Sequence, residues 1–165
     1  MVVDYRLGHA VSIDALKDLV DGAARAVKTH VPGPGNPPSR TRLCYWWTGP
    51  RLFILTDDYD MIGTGPMTES FAPLLDHLAL GFKVRVHLVV ARSASRAGRG
   101  LNDALLSRMM EVSTPGLLLS CPPSEGYVFG NVKWLLLIPG RGTLVARRKS
   151  MQVQTALVGS PEGNA

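Results

Sequence analysis

The chain has 165 residues, 45% of them hydrophobic, with 18 Lys and Arg against 13 Asp and Glu for a net charge of +5. That length suits one domain with a real core, and the composition excludes both a disordered polyelectrolyte and a disulfide-stapled miniprotein. The basic excess is compatible with a nucleic-acid or acidic-lipid partner and requires neither, because many basic soluble domains bind neither.

Cys44 and Cys121 lie far apart without CxxC spacing, which predicts reduced, buried thiols in a cytoplasmic protein. No run at the start has the charged, apolar and small-residue zones of a signal peptide. The longest apolar stretch, Trp134 to Ile138, falls well short of the ~20 residues a membrane helix needs. The expected location is therefore the cytoplasm, with no direct membrane span. Any place at the inner face of the membrane comes through partners.

Val2 to Arg6 reads as a short strand. Ser12 sits at a helix N-cap with Asp14 in the first turn, and Ile13, Leu16, Leu19, Val20, Ala23, Ala24 and Val27 recur at helical spacing to about Lys28. Val31 to Ser39 is a Pro/Gly loop without the Gly-Lys-Ser/Thr ending of a phosphate loop. Trp46-Trp47 is expected to pack on a sheet edge, and Leu52 to Thr56 forms a buried strand.

A second helix is predicted over Glu69 to Leu80, with Phe71, Leu74, Leu75 and Leu78 inward and Gly81 as its stop. Val84 to Ala91 is the next strand, Arg92 to Gly100 a basic loop, Leu101 to Val112 a third helix and Leu117 to Leu119 a strand. Thr143 to Ala146 and Val153 to Leu157 pair as a hairpin around a polar Arg147-Arg148-Lys149 turn, and 159–165 is a flexible tail. Alternating strands and helices predict an α/β domain over 1–158 with a mostly parallel sheet.

The chemistry-bearing signal is Leu52 to Asp60, in which an apolar strand runs into Asp57-Asp58-Tyr59-Asp60. In open α/β sheets ligands bind at the carboxyl ends of the strands. A Walker B element needs an acid there to hold the water shell of Mg²⁺ beside nucleotide phosphates, and a neighbouring acid to polarise the attacking water. On that reading Asp57 is the metal-side carboxylate and Asp58 the water-polarising one. A plain polar turn after a strand has the same pattern, and the motif alone does not choose between them.

Other candidates are weaker. Arg92, Arg96 and Arg99 can be read as a solvated loop or as the source of an arginine finger, and the solvated loop is favoured. His9, His30, His77 and His87 have no metal-ligand spacing, and no GxSxG accompanies the serines.

Context comes from a resemblance. Val3-Asp4-Tyr5-Arg6, Trp47-Thr48-Gly49-Pro50, Leu55 to Asp60, Ala72-Pro73-Leu74-Leu75, His87 to Arg92, Thr114 to Ser120, Glu125-Gly126 and Pro139 to Gly142 follow one another in that order. Together they resemble the last ATPase domain of the EccC family, the FtsK/SpoIIIE-type motors of type VII (ESX) secretion, from about Val2 to Leu157. No single piece is specific; the ordered set is. The resemblance implies a RecA-like P-loop NTPase fold, ATP and Mg²⁺ as cofactors of the intact domain, and a multi-domain motor at the cytoplasmic membrane. Its partners would be other ATPase domains or subunits and small helical secreted proteins recognised by a C-terminal signal.

The departures matter equally. GxxxxGK[ST] is absent, so the backbone cradle and lysine for phosphates are missing. The acidic pair is Asp-Asp where FtsK-type motors usually carry Asp-Glu, and Arg92, placed as a nucleotide-side residue, stands where they carry a polar sensor. Compared with the family, the chain starts after the phosphate-loop strand and helix. The expectation is an incomplete RecA-like sheet with a C-terminal hairpin, marginal, aggregation-prone or completed by another polypeptide, and unable to hydrolyse ATP alone. The alternatives are a DNA-translocase relative and a non-catalytic docking module for substrate or partner.

Overall fold

The computed structural model describes residues 8–33, 39, 46–62, 68–94, 103–129, 132–147 and 149–156. The strand expected at Val2 to Arg6, Cys44, Arg96, Arg99 and the tail lie outside these residues. The described residues up to Ser93 together with Asp103 to Val112 form one compact unit; Ala94 and those from Ser113 onward form a second.

In the first unit, α1 spans Ile13–His30. The Ser12 side chain accepts the Ala15 N–H at 3.3 Å, which satisfies one of the free amides of the first turn. Asp14 at the start and Lys28 and His30 at the end oppose the helix dipole. Val20, Ala24 and Val27 are buried along one stripe, with Leu16 and Ala23 packed beside it. Leu19, a ~100° rotation from Val20, is exposed. Ile13 is exposed too, because the core meets the helix only from Leu16 onward.

The strands β1 (Leu52–Thr56) and β2 (Val86–Val90) pair in parallel, from Leu52 opposite Val86 to Thr56 opposite Val90. Leu52, Ile54, Val86, Leu88 and Val90 turn toward the core. The expectation of a buried strand holds for this face alone: on the other, Phe53 is 57% and Leu55 74% exposed. The reason is the period of two along a strand: the core covers only the residues of one face.

No continuous second helix forms over Glu69 to Leu80. A 3₁₀ turn (Thr68–Phe71), one α-turn, α3 (Ala72–Leu75), and a further 3₁₀ turn (Gly81–Val84) take its place; α2 is the single turn Tyr59–Ile62. Three-residue bonds such as His77 N–H to Leu74 O replace the four-residue ladder. The apolar positions still do their work, with Phe71 and Leu74 buried and Leu75 and Leu78 packed against them. Gly81 opens the last turn rather than stopping a helix: a Cβ there would come within 2.9 Å of the Val86 carbonyl. Val84 closes that turn and Arg85 is left-handed at φ 59°, so β2 starts later than predicted.

The helix α4 (Ala104–Glu111) is capped by Asp103 and buries Leu105. The Trp47 ring stacks on the buried His30 at 3.8 Å, and its indole N–H donates to the Pro50 carbonyl at 2.7 Å, just before β1. His30 in turn donates from Nδ1 to the Val84 carbonyl at 2.9 Å, tying the end of α1 to the 3₁₀ turn.

In the second unit, β3 (Gly116–Leu118), β6 (Arg141–Ala146) and β7 (Lys149–Gln154) make an antiparallel sheet in the order β3-β6-β7. β3 was expected in a mostly parallel sheet; it runs antiparallel to β6, where a Cβ at Gly142 would come within 2.9 Å of the Leu117 side chain and 3.0 Å of the Leu118 carbonyl. A hairpin forms here, but its second strand is Lys149–Gln154 and not the expected Val153 to Leu157: Ala146 pairs directly with Lys149, so Lys149 belongs to the strand, and Arg147 is left-handed in the turn. A ribbon of β4 (Tyr127–Val128) and β5 (Val132–Lys133) completes the unit, whose core is Leu118, Cys121, Val128, Trp134 and Val145. Among the described residues no helix is long and apolar enough to cross a membrane.

Candidate functional site

The parallel register fixes what comes together at the carboxyl ends of β1 and β2. Thr56 lies opposite Val90, so Asp57 and Ala91 leave the sheet side by side. The Ala91 N–H donates to the Thr56 carbonyl at 2.8 Å, and the Tyr59 N–H donates back to the Ala91 carbonyl at 3.0 Å. The acidic turn is thereby fastened to the exit of β2. A third fastening comes from Asp60, whose Oδ1 accepts the Ser93 N–H at 2.8 Å.

Within the turn the side chains separate by environment. Asp57 and Asp58 are exposed, while Tyr59 is 1% exposed and sets its ring edge-on to Phe71. Asp58 is left-handed at φ 46°, a conformation that costs a non-glycine residue ~1 kcal/mol. Its N–H donates to Asp57 Oδ1 at 2.9 Å, and the second Asp57 oxygen has no partner among the described residues. The Tyr59 hydroxyl donates to Asp103 Oδ1 at 2.8 Å, the oxygen that also accepts the Leu106 N–H at 2.9 Å as the cap of α4. Burial first, and then the Asp103 carboxylate, push the Tyr59 hydroxyl well above its ordinary pKa.

Arg92 follows Ala91 at the same edge, partly buried, and its charge opposes the rise at Tyr59. Its Nε donates to the Ser93 carbonyl at a long 3.4 Å, and most of the guanidinium donors are uncommitted among the described residues. The predicted residues Asp57, Asp58 and Arg92 therefore share one edge.

The chain's residues fit a hydrated divalent cation through Asp57, which presents one uncommitted carboxylate oxygen to solvent. They do not form a direct ligand set: among the described residues no three His, Cys, Asp or Glu side chains converge. Asp60, Tyr59 and Asp103, which fasten the turn, were not singled out from the sequence. Asp60 and Tyr59 stood inside the acidic run itself. Asp103 was legible only as an N-cap, and the helix had been started earlier, at Leu101. The described cavity, of about 210 Å³, lies at the other end of the strands, by Arg51 and Arg85.

A parallel pair of strands backed by helices on one face is consistent with part of a RecA-like P-loop NTPase sheet, and the acidic turn and Arg92 lie at the carboxyl edge where ligands bind in open α/β sheets. The chain matches no protein-family model. It is 36% identical over 154 residues to the ESX secretion system protein EccC of Thermomonospora curvata, covering 93% of this chain and 12% of that protein. It is 30% identical over 142 residues to the EccC protein of the ESX-4 system of Mycobacterium tuberculosis, covering 86% of this chain and 11% of the relative. Among solved structures it superposes on the cytoplasmic domain of the T. curvata type VII secretion ATPase EccC with a TM-score of 0.78 and 37% identity, over 92% of this chain and 18% of the other. The same TM-score and identity hold for T. curvata EccC (ATPases 2 and 3) in complex with a signal sequence peptide, of which 27% is covered. The chain belongs to the EccC family of type VII (ESX) secretion ATPases, and it spans about an eighth of the length of its T. curvata relative.

Proposed function

We propose that the chain contributes the acidic edge of a nucleotide site in an EccC-type motor that drives ATP-dependent protein export. The register that sets Thr56 opposite Val90 carries this reading, because it brings Asp57, Asp58 and Arg92 to one carboxyl edge. With nucleotide and Mg²⁺ bound, Asp57 would hold a water of the cation's shell, Asp58 would orient the attacking water, and Arg92 would meet the anionic side of the nucleotide. The cation, when bound, neutralises charge on the phosphates. Tyr59, Asp60 and Asp103 position the turn from behind.

These 165 residues hold no phosphate loop, so the cradle for the phosphates comes from residues outside them. The chain alone then does not hydrolyse ATP. The relative solved with a signal sequence peptide and the one described as a cytoplasmic domain support two further elements. The chain works beside other ATPase domains at the cytoplasmic face of the membrane, and the motor it serves takes secreted helical substrates.

Titration of the purified chain with a fluorescent ATP analogue and Mg²⁺ tests the reading. No binding is expected. Tight Mg²⁺-dependent binding that is lost in Asp57→Ala would place a complete phosphate site within these residues and overturn the shared-site proposal.

A further inference from the structure

At the amino ends of β1 and β2 the first unit forms a concavity of about 210 Å³ lined by Arg51, Phe82, Lys83, Arg85 and His87. It lies at the edge opposite Asp57 and Arg92, about 16 Å away along five strand residues. Arg51 immediately precedes β1 and Arg85 immediately precedes β2. The Leu52 N–H donates to the Arg85 carbonyl at 3.0 Å, so the two approaches to the sheet are held together. Three cationic side chains from two segments thus converge with no acid among the lining residues, and none of the three has an ion-pair partner among the described residues. Like charges gathered without a counter-ion repel one another, so the arrangement carries a cost that an anionic ligand would relieve.

Two features of the backbone shape the concavity. Arg85 occupies a left-handed conformation, φ 59°, where glycine or asparagine is the usual resident. Gly81 lets the turn that bears Phe82 and Lys83 press against β2, since a Cβ would meet the Val86 carbonyl at 2.9 Å.

The lining also narrows the ligand. The Lys83 and Val84 amides donate to the Leu80 carbonyl and the Arg85 amide to that of Gly81, so the turn offers no free N–H cradle of the kind phosphates use. Beside the cations stands an apolar ledge. Phe82 is 85% exposed, and the His87 ring is stacked on the half-exposed Phe53 with centroids 4.8 Å apart. A short cluster of cations next to exposed aromatic surface suits a carboxylate side chain with an apolar neighbour, and it is too short to track a nucleic-acid backbone.

We propose that this concavity docks an acidic segment of a partner polypeptide, with a carboxylate held by Arg51, Lys83 and Arg85 and an adjacent apolar side chain laid on Phe82. The site is independent of the nucleotide edge and stands or falls apart from it.

The test is fluorescence anisotropy with the full chain and a labelled peptide of alternating Glu and Leu, compared with the same peptide carrying Gln for Glu. The Glu peptide is expected to bind at least about tenfold more tightly than the Gln peptide. The double variant Arg51→Ala, Lys83→Ala is expected to erase that preference, and Asp57→Ala to leave it intact. Arg51→Glu, at an exposed position, repeats the test should the double variant lose its fold. Equal binding of the two peptides, or a preference that survives both variants, would overturn the proposal. So would a duplex oligonucleotide that binds more tightly than the Glu peptide through the same residues.

Discussion

The Tyr59 hydroxyl donates to Asp103 Oδ1 at 2.8 Å, joining the acidic turn after β1 to the cap of α4, 44 residues later in the chain. One carboxylate oxygen serves two donors, the phenol and the Leu106 N–H, while Asp103 Oδ2 is buried without a partner among the described residues. The bond therefore carries weight for both the helix start and the posture of Asp57 and Asp58. Tyr59→Phe should cost about 1–3 kcal/mol, because it strips a donor from a carboxylate that already lacks one. Asp103→Asn keeps an acceptor for both donors and should cost less, whereas Asp103→Ala removes the cap and orphans the phenol and should cost more. Urea melts of the three variants give the ranking; an Asp103→Ala no worse than Asp103→Asn would contradict it.

The pH dependence follows from groups whose neutral form is favoured by the fold. Burial raises the pKa of the Tyr59 hydroxyl and of the Cys121 thiol, each assisted by a nearby carboxylate. Their contribution is complete below the unfolded values and is lost as pH rises past about 8.5 for the thiol and about 10 for the phenol. Thermal stability should fall across that alkaline range, and Tyr59→Phe should flatten the upper part of the fall. Identical alkaline slopes in the two proteins would contradict the account.

His87 titrates in the opposite sense. Partial burial and the Arg51 charge lower its pKa, so the folded chain disfavours the imidazolium and His87 withdraws stability as pH falls through the unfolded histidine value, about 6.5. An NMR titration should place its midpoint below that of an exposed histidine, and Arg51→Ala should move it upward. A midpoint unchanged by that substitution would leave burial as the sole cause.

The two faces of β1 should respond differently to truncation. Ile54 packs into the core, whereas Leu55 is 74% exposed. Ile54→Ala should cost about 2–4 kcal/mol and Leu55→Ala within about 0.5 kcal/mol in the purified chain. Denaturant midpoints decide it, and equal costs would mean that Leu55 is covered in solution.

Much of the first unit was legible. The Ser12 cap, the Val20-Ala24-Val27 stripe and the run from Leu52 into Asp57 are local signals, written within a few residues of where they act. The broken helix after Glu69 was harder to see, since Phe71, Leu74, Leu75 and Leu78 keep a helical spacing that successive 3₁₀ and α turns satisfy equally well. One-sided burial of β1 could not be read, because Leu52 to Leu55 are all apolar and carry no alternation to mark an uncovered face. The pairing of β3 with β6 depends on partners more than 20 residues apart, a relationship that periodicity does not encode. The acidic edge was found because Asp57 and Asp58 are adjacent in sequence. The concavity at Arg51 and Arg85 was missed because its residues meet only through the parallel register.

The central claim is that Asp57 and Arg92 form one half of a nucleotide site whose other half lies outside these residues. The most direct measurement grafts this chain in place of the matching stretch in T. curvata EccC carrying ATPases 2 and 3, and counts Mg²⁺-dependent binding sites for a fluorescent ATP analogue. The account predicts that Asp57→Ala in the graft removes a binding site while Arg51→Ala leaves the count unchanged. A graft whose site count and affinity are the same with and without Asp57→Ala would contradict it.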